Sequence, residues 1–295
     1  MPTPLAEPSI RPLTLRDLAS CVAITADRGW PPDEHKWRLL LTAGNGYGID
    51  DPSGTGLAGV VVLTRYGTPG AGHPGELCAV GMLLVAARHE RQGLGGLLMR
   101  HILREVDGAP LALYATRFGQ PLYERLGFTT VAQNLTVTGR LHAPGPPSGP
   151  AGGITVRTAT ADDLPALIRL DESAFGVDRT LMITRLPAFA EQLRIALDGS
   201  EVIGYGAAWA AASADVIGPL VARDTDTAKA LIASLGAATR RPLRTDIDAR
   251  HEDLLRWLKE QGLDTVLGSP VMVLNTAGLP GDPGRRFAPL SMATC

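Results

Sequence analysis

The chain has 295 residues, 45% of them hydrophobic, with 28 basic and 30 acidic side chains and a formal net charge of −2. That length suits one large domain or two of ordinary size with a packed core in each, and the charge balance gives no electrostatic case for nucleic acid or an anionic membrane. Three of the basic residues are lysines, Lys36, Lys229 and Lys259, and Cys21, Cys78 and Cys295 are too few and too widely spaced for a disulfide framework or a CxxC metal site.

The segment from Met1 to Pro8 has no basic patch followed by an apolar core, and no stretch approaches about 20 uninterrupted apolar residues. A soluble cytoplasmic protein is expected. Ile10 to Leu13 reads as a strand, after which Thr14 caps a helix start with Asp17 at the third helical position of a capping box. That helix runs through Cys21 and Ile24 to Gly29. Pro31, Pro32, Asp33 and Glu34 then suit the first turn of a second helix. Gly46 to Ile49, Leu57 to Thr64 and Glu76 to Val85 follow as an antiparallel meander, with Gly- and Pro-rich turns between them.

The third of these strands, with the buried run Val80-Gly81-Met82-Leu83-Leu84-Val85, leads into Glu90-Arg91-Gln92-Gly93-Leu94-Gly95-Gly96. Leu94, Leu97, Leu98, Ile102 and Val106 then recur at helical spacing. The glycines fall where a helix begins, so bare backbone N–H groups and the positive end of the helix dipole would face an incoming anion. A nucleoside-triphosphate loop needs Lys and Ser or Thr after its last glycine, and Leu97 and Leu98 supply neither. A dinucleotide fingerprint needs a glycine at Leu98. A glycine-rich helix start with no ligand is the plainer alternative.

Strand, glycine turn and helix together resemble the pyrophosphate motif of the GNAT N-acetyltransferase superfamily, whose two glycine positions fall on Gly93 and Gly95 and whose Gln/Arg position falls on Glu90. That acidic substitution is a departure, and Arg88 and Arg91 are expected to offset it. A second signature lies downstream. Leu122-Tyr123-Glu124-Arg125-Leu126-Gly127-Phe128 resembles the family's helix-ending Tyr-Glu-Lys-Leu-Gly-Phe, with Gly127 a left-handed C-cap. The strand Leu111 to Ala115 precedes it, and Phe128 to Val131 and Leu135 to Val137 read as closing strands.

Ala143 to Gly153 is a Pro/Gly-rich linker by composition. Beyond it the chain repeats itself: Val156 to Leu164 answers Ile10 to Leu18, with Arg157 opposite Arg11 and Asp163 opposite Asp17. Val202 to Ala207 answers Leu57 to Val62, Val216 to Ala222 answers Val80 to Val85, and Leu258 to Leu263 answers Tyr123 to Phe128. In place of the glycines the second half has Asp224 and Asp226, which would repel a pyrophosphate, and in place of the tyrosine it has Leu258. Phe175-Gly176-Val177-Asp178-Arg179 interrupts a helical pattern. It reads either as a helix end with a solvated Asp178–Arg179 pair or as part of an interdomain pocket.

The resemblance implies an α/β chain of tandem folds, each a mixed, mostly antiparallel sheet flanked by helices, with a catalytic domain at 1–142, the linker at 143–153 and a degenerate domain at 154–295. It further implies that acetyl-CoA is the co-substrate and that Leu83, Leu84 and Val85 pair with its pantetheine arm. Arg91, Gln92, Gly93, Leu94, Gly95 and Gly96 would hold its pyrophosphate, and Tyr123 would protonate or hydrogen-bond the departing thiolate. The acceptor is expected to be a primary amine of a small molecule. Glu34, His35, His73 and Glu76 are the candidate bases, Glu34 first because it lies on a helix that walls the acceptor site in this superfamily. A non-catalytic acyl-CoA sensor, a partner-stabilising subunit and a peptide N-acetyltransferase are the alternatives.

Overall fold

The computed structural model describes residues 8–54, 56–67, 75–142 and 153–294. His73, Cys295 and all of the expected linker except Gly153 lie outside them. The chain forms two compact units, one made of the described residues up to Thr64 together with Val80–Gly108, the other of Arg65–Ala79 and the chain from Ala109 onward.

In the first unit β1 (Ile10–Leu13) pairs antiparallel with β2 (Asn45–Asp50), and β2 pairs with β3 (Leu57–Gly67). Between β1 and β2 come α1 (Leu18–Asp27) and α2 (Glu34–Ala43). A short 3-10 turn, Leu15–Asp17, precedes α1, and Thr14 and Asp17 cap it reciprocally, as the spacing predicts. The two helices are pinned through a buried polar relay in which Trp37 Nε1 donates to Thr25 Oγ1 at 2.8 Å and that hydroxyl donates to the Cys21 carbonyl at 2.8 Å. An indole buried this completely needs such an acceptor. The last six residues of β4 (Glu76–Val85) lead into α3 (Leu94–Val106), which buries Leu94, Leu98, Met99, Ile102 and Val106 along one stripe.

The second unit contains β5 (Leu111–Tyr114), α4 (Gln120–Arg125) and β6 (Thr129–Gly139), followed by the repeated half. That half runs β7 (Ile154–Thr158), α5 (Leu164–Phe175), α6 (Thr180–Ile183), α7 (Leu186–Phe189), β8 (Gln192–Asp198), β9 (Glu201–Ala210), β10 (Asp215–Ala222), α8 (Thr225–Ala237), β11 (Leu243–Asp248), α9 (Glu252–Glu260), β12 (Leu263–Leu274) and β13 (Arg286–Ala288). Its strands lie in the order β4-β5-β12-β6-β11-β10-β9-β8-β7, with β13 on β10. Two parallel pairs, β4 with β5 and β10 with β11, occupy matching places in the two repeats, each closed by a crossover helix. The other described pairs are antiparallel.

Two features differ from the sequence reading. The expected pair of closing strands is a single strand, β6, because both its edges are laddered, by β11 on one side and β12 on the other. The repeats also interleave, since β12 of the second half lies between β5 and β6 of the first. The repeat itself is physical: Arg157 grips Asp163 at 2.7 Å as Arg11 grips Asp17 at 2.8 Å, each below a Thr–Asp capping box. The core of the second unit gathers Leu231, Ile232 and Leu235 of α8, Leu254 and Leu258 of α9 and the sheet residues beneath them. Among the described residues no helix is long and apolar enough to cross a membrane.

Candidate functional site

In the first unit, α3 begins at Gly93, which takes φ +84° and contributes no side-chain cap. Side chains rarely adopt that backbone, so glycine is required there for its conformation. The helical ladder starts with Leu97 N–H on the Gly93 carbonyl at 3.0 Å. The amides of Leu94, Gly95 and Gly96 therefore precede the ladder, at the positive end of a 13-residue helix, and are available to an anion. Arg91 and Gln92 are exposed beside them, and Arg91 itself has φ +60°.

The turn that carries these residues is tethered from three directions. Asp27, at the end of α1, accepts the Ala87 N–H at 2.6 Å. Its neighbour Arg28 pairs with Glu90 at 2.5 Å, so the acidic departure in the motif is neutralised by Arg28. Arg88 is not free to do so, because Asp51 in the β2–β3 turn has claimed it. The Asp51 carboxylate, whose side chain is 1% exposed, accepts from Ser53 N–H at 2.8 Å, from Arg88 Nε at 2.8 Å and from His89 Nε2 at 2.6 Å. The Ser53 hydrogen bonds first, then those of His89 and Arg88, hold its pKa well below the usual carboxylate range. Asp51, Asp27, Arg88 and His89 line a hollow of about 470 Å³ in this unit.

Within β4, Met82 takes φ +52°, an uncommon backbone for a side-chain-bearing residue and a local break in the regular strand. Leu83 and Val85, just beyond it, are half-buried, and Leu84 between them is buried.

Tyr123 lies in the second unit on α4, whose end is closed as the motif predicts: Gly127 has φ +90°, and Phe128 N–H returns to the Tyr123 carbonyl at 3.0 Å. The tyrosine is 7% exposed, its ring 5.8 Å from that of Phe128, and its hydroxyl has no hydrogen-bond partner among the described residues. Burial pushes its pKa up to about 12. The phenol therefore stays protonated at any physiological pH and keeps its O–H available as a donor.

The candidate bases are scattered. Glu34 is exposed in the first turn of α2 and pairs with Arg38 at 2.8 Å. His35 is exposed, whereas Glu76 is buried at the start of β4 with Arg65 3.7 Å away.

The repeat has closed the corresponding site against anions. Asp224 caps α8 with its own carboxylate, accepting the Thr227 N–H at 2.8 Å, so the amide position that would meet a phosphate is already occupied by negative charge. Leu258, at the tyrosine position, is fully buried. The reading of Asp178 and Arg179 as a solvated pair is overturned. Asp178 instead accepts the Thr180 N–H at 2.7 Å, while Arg179 is wholly buried and forks onto Asp171 at 3.0 and 3.1 Å. The Arg179 guanidinium also stacks 3.4 Å over Phe175. Asp171 was invisible as a partner because it lies eight residues back on a helix that reads as ordinary. Asp51 was missed for a similar reason: Asp-Pro-Ser-Gly spells a turn and says nothing of what the carboxylate reaches.

Two family models, each described as an acetyltransferase (GNAT) domain, match residues 56–144 and 167–288. The chain is 26% identical over 279 residues, 94% of each protein, to one called uncharacterized N-acetyltransferase YitH from Bacillus subtilis (strain 168). Its fold is similar to that of a Pyrococcus horikoshii protein put forward as an acetyltransferase (TM-score 0.78, 18% identity, 99% of this chain and 98% of that one). It also resembles a tandem GNAT protein from the clavulanic acid biosynthesis pathway (TM-score 0.64, 12% identity, 92% and 100%).

Proposed function

Because the chain belongs to the GNAT acetyltransferase family and carries two of its domains in tandem, we propose that its first half transfers acetyl from acetyl-CoA to the amine of a small molecule. The observation that carries this reading is the run of unengaged amides at Leu94, Gly95 and Gly96 behind the left-handed Gly93. Acetyl-CoA supplies the activated acyl group. The amides, with Arg91 and Gln92, bind its pyrophosphate, and the backbone of Leu83, Leu84 and Val85 pairs with its pantetheine arm and polarises the thioester carbonyl. The neutral amine nitrogen bonds to the carbonyl carbon, the carbon–sulfur bond breaks, and Tyr123 donates a hydrogen bond to the sulfur that leaves. The proton lost by the amine passes to solvent. An exposed Glu34 is a poor first acceptor for it, and a water chain serves better.

An acetyl-CoA consumption screen across amino acids, polyamines, aminoglycosides and short peptides tests the reading. Turnover with none of them, alongside tight CoA binding, would favour the sensor alternative. The cradle has its own test. Gly95→Val leaves an ordinary helical backbone but puts a branched side chain where the phosphates approach, and calorimetry should then show acetyl-CoA binding lost from a folded protein. Undiminished affinity would put the cradle elsewhere.

Acetyl-CoA should also protect the fold. A ligand at ~100 times its dissociation constant adds about 2.7 kcal/mol if it binds only the native state, equivalent to a rise of roughly 5–10 °C in melting temperature for a domain of this size. Asp224→Ala should leave that rise intact, because the cradle of the first half holds the cofactor and the repeat does not. A lost rise in a folded Asp224→Ala protein would place cofactor in the repeat as well.

A further inference from the structure

The second unit holds a narrow cleft whose polar lining no part of the proposed reaction uses. It is lined by Leu77, Tyr114, Asn134 and Asp248 and by Arg286 and Phe287 of β13. Two groups in it make no side-chain hydrogen bond with the atoms that face the cleft, one of them fully buried. Asn134 is 2% exposed, yet its Oδ1 accepts no hydrogen bond among the described residues. The half-buried Arg286 guanidinium makes no hydrogen bond and no ion pair among them either; it lies 5.5 Å from the Phe175 ring, and Tyr114 and Asp248 favour its charge from nearby. Burial lowers its pKa. The nearby carboxylate of Asp248 is already spent on Arg250, accepting from its Nε at 3.0 Å and its backbone N–H at 3.0 Å.

An orphaned buried carbonyl oxygen is costly, and a half-buried guanidinium whose fork engages no acceptor is open to an anion. Both are satisfied if one ligand brings a carboxylate for the fork and an N–H for the amide oxygen. The cleft is small, with free space of about 30 Å³, of the order of two water positions. It fits a compact polar head group whose remainder extends through the mouth.

We propose that this cleft holds the head group of an α-amino acid, with Arg286 clamping the carboxylate and Asn134 Oδ1 accepting from the amine. The proposal rests on the acetyltransferase reading in one respect only, that the bound amino acid is the acetyl acceptor. Planar fork geometry favours a carboxylate over a single-point anion.

The test pairs each of a panel of α-amino acids with its carboxamide, using the full chain. Acetyl transfer should prefer the acid, and Arg286→Gln should raise the KM for the acid about 10- to 100-fold, the scale of a lost charge-assisted contact. It should leave the KM for the carboxamide and for acetyl-CoA where they were. Calorimetry with the amino acids alone reads the cleft independently of chemistry. If no amine is acetylated but an amino acid binds wild type and not Arg286→Gln, the cleft stands and the acetyltransferase reading falls. Equal use of acids and carboxamides, or a preference that survives Arg286→Gln, overturns the proposal. Should Arg286→Gln fail to fold, Arg286→Lys keeps the charge, loses the fork and must show the same selective loss.

Discussion

Tyr123→Phe should lower turnover about 10²- to 10³-fold, the loss seen when a single donor to developing negative charge is removed, while acetyl-CoA affinity stays within about threefold of wild type. The ring packs against Phe128 and is retained by phenylalanine, so the variant deletes the hydroxyl alone. With its pKa pushed up to about 12 by burial, the phenol is a weaker acid than a CoA-type thiol, whose ordinary pKa is ~8.5. Full proton transfer to sulfur is uphill, so under the proposed mechanism the hydroxyl would stabilise the leaving thiolate by donating to it without giving the proton up. A raised folded-state pKa keeps the donor intact as pH rises. The alkaline side of the rate profile should therefore show no loss from tyrosine ionisation between about pH 7 and 10, and Tyr123→Phe should keep the wild-type profile at a lower level. A kcat within threefold of wild type, where chemistry limits the rate, would leave the tyrosine a packing residue.

What the sequence disclosed was what is local along the chain. Gly93 and Gly127 could be placed because helix starts and stops have their own residue chemistry, and the Thr14–Asp17 and Thr160–Asp163 boxes each close within four residues. The duplication was legible for the same reason, as Arg11–Asp17 and Arg157–Asp163 repeat within one turn of chain. The tethers of the glycine turn were not, since Asp51 meets His89 across 38 positions and Arg28 meets Glu90 across a still longer stretch. Periodicity reports which face of an element is buried but not its neighbour, so the entry of β12 between β5 and β6 left no mark. Asn134 and Arg286 are 152 positions apart in a chain whose polar residues are mostly solvated, and only the fold brings them to one cleft.

Removing Asp171 should cost more stability than any other single polar change in the second unit. Its carboxylate holds both arms of Arg179 and accepts from the Tyr205 hydroxyl, with all three residues buried to 2% exposure or less. Burial opposes the charge on Arg179, but Asp171 outweighs it and the guanidinium stays ionised, its pKa held above the ordinary value. The Tyr205 phenol, pushed up by burial and by the same carboxylate, stays a donor. Asp171→Ala would take from that buried charge the carboxylate it forks onto, and breaking a buried pair from one side costs about 3–5 kcal/mol. Urea unfolding should show a loss of that size. The pair as a whole contributes far less than either half, because both ions must be desolvated to form it. Asp171→Leu combined with Arg179→Met should therefore recover most of the loss, a non-additivity that a solvated pair of ~0.5 kcal/mol cannot produce. An Asp171→Ala protein within 1 kcal/mol of wild type would mean that water reaches Arg179 and that the cluster is not the closed structure described above.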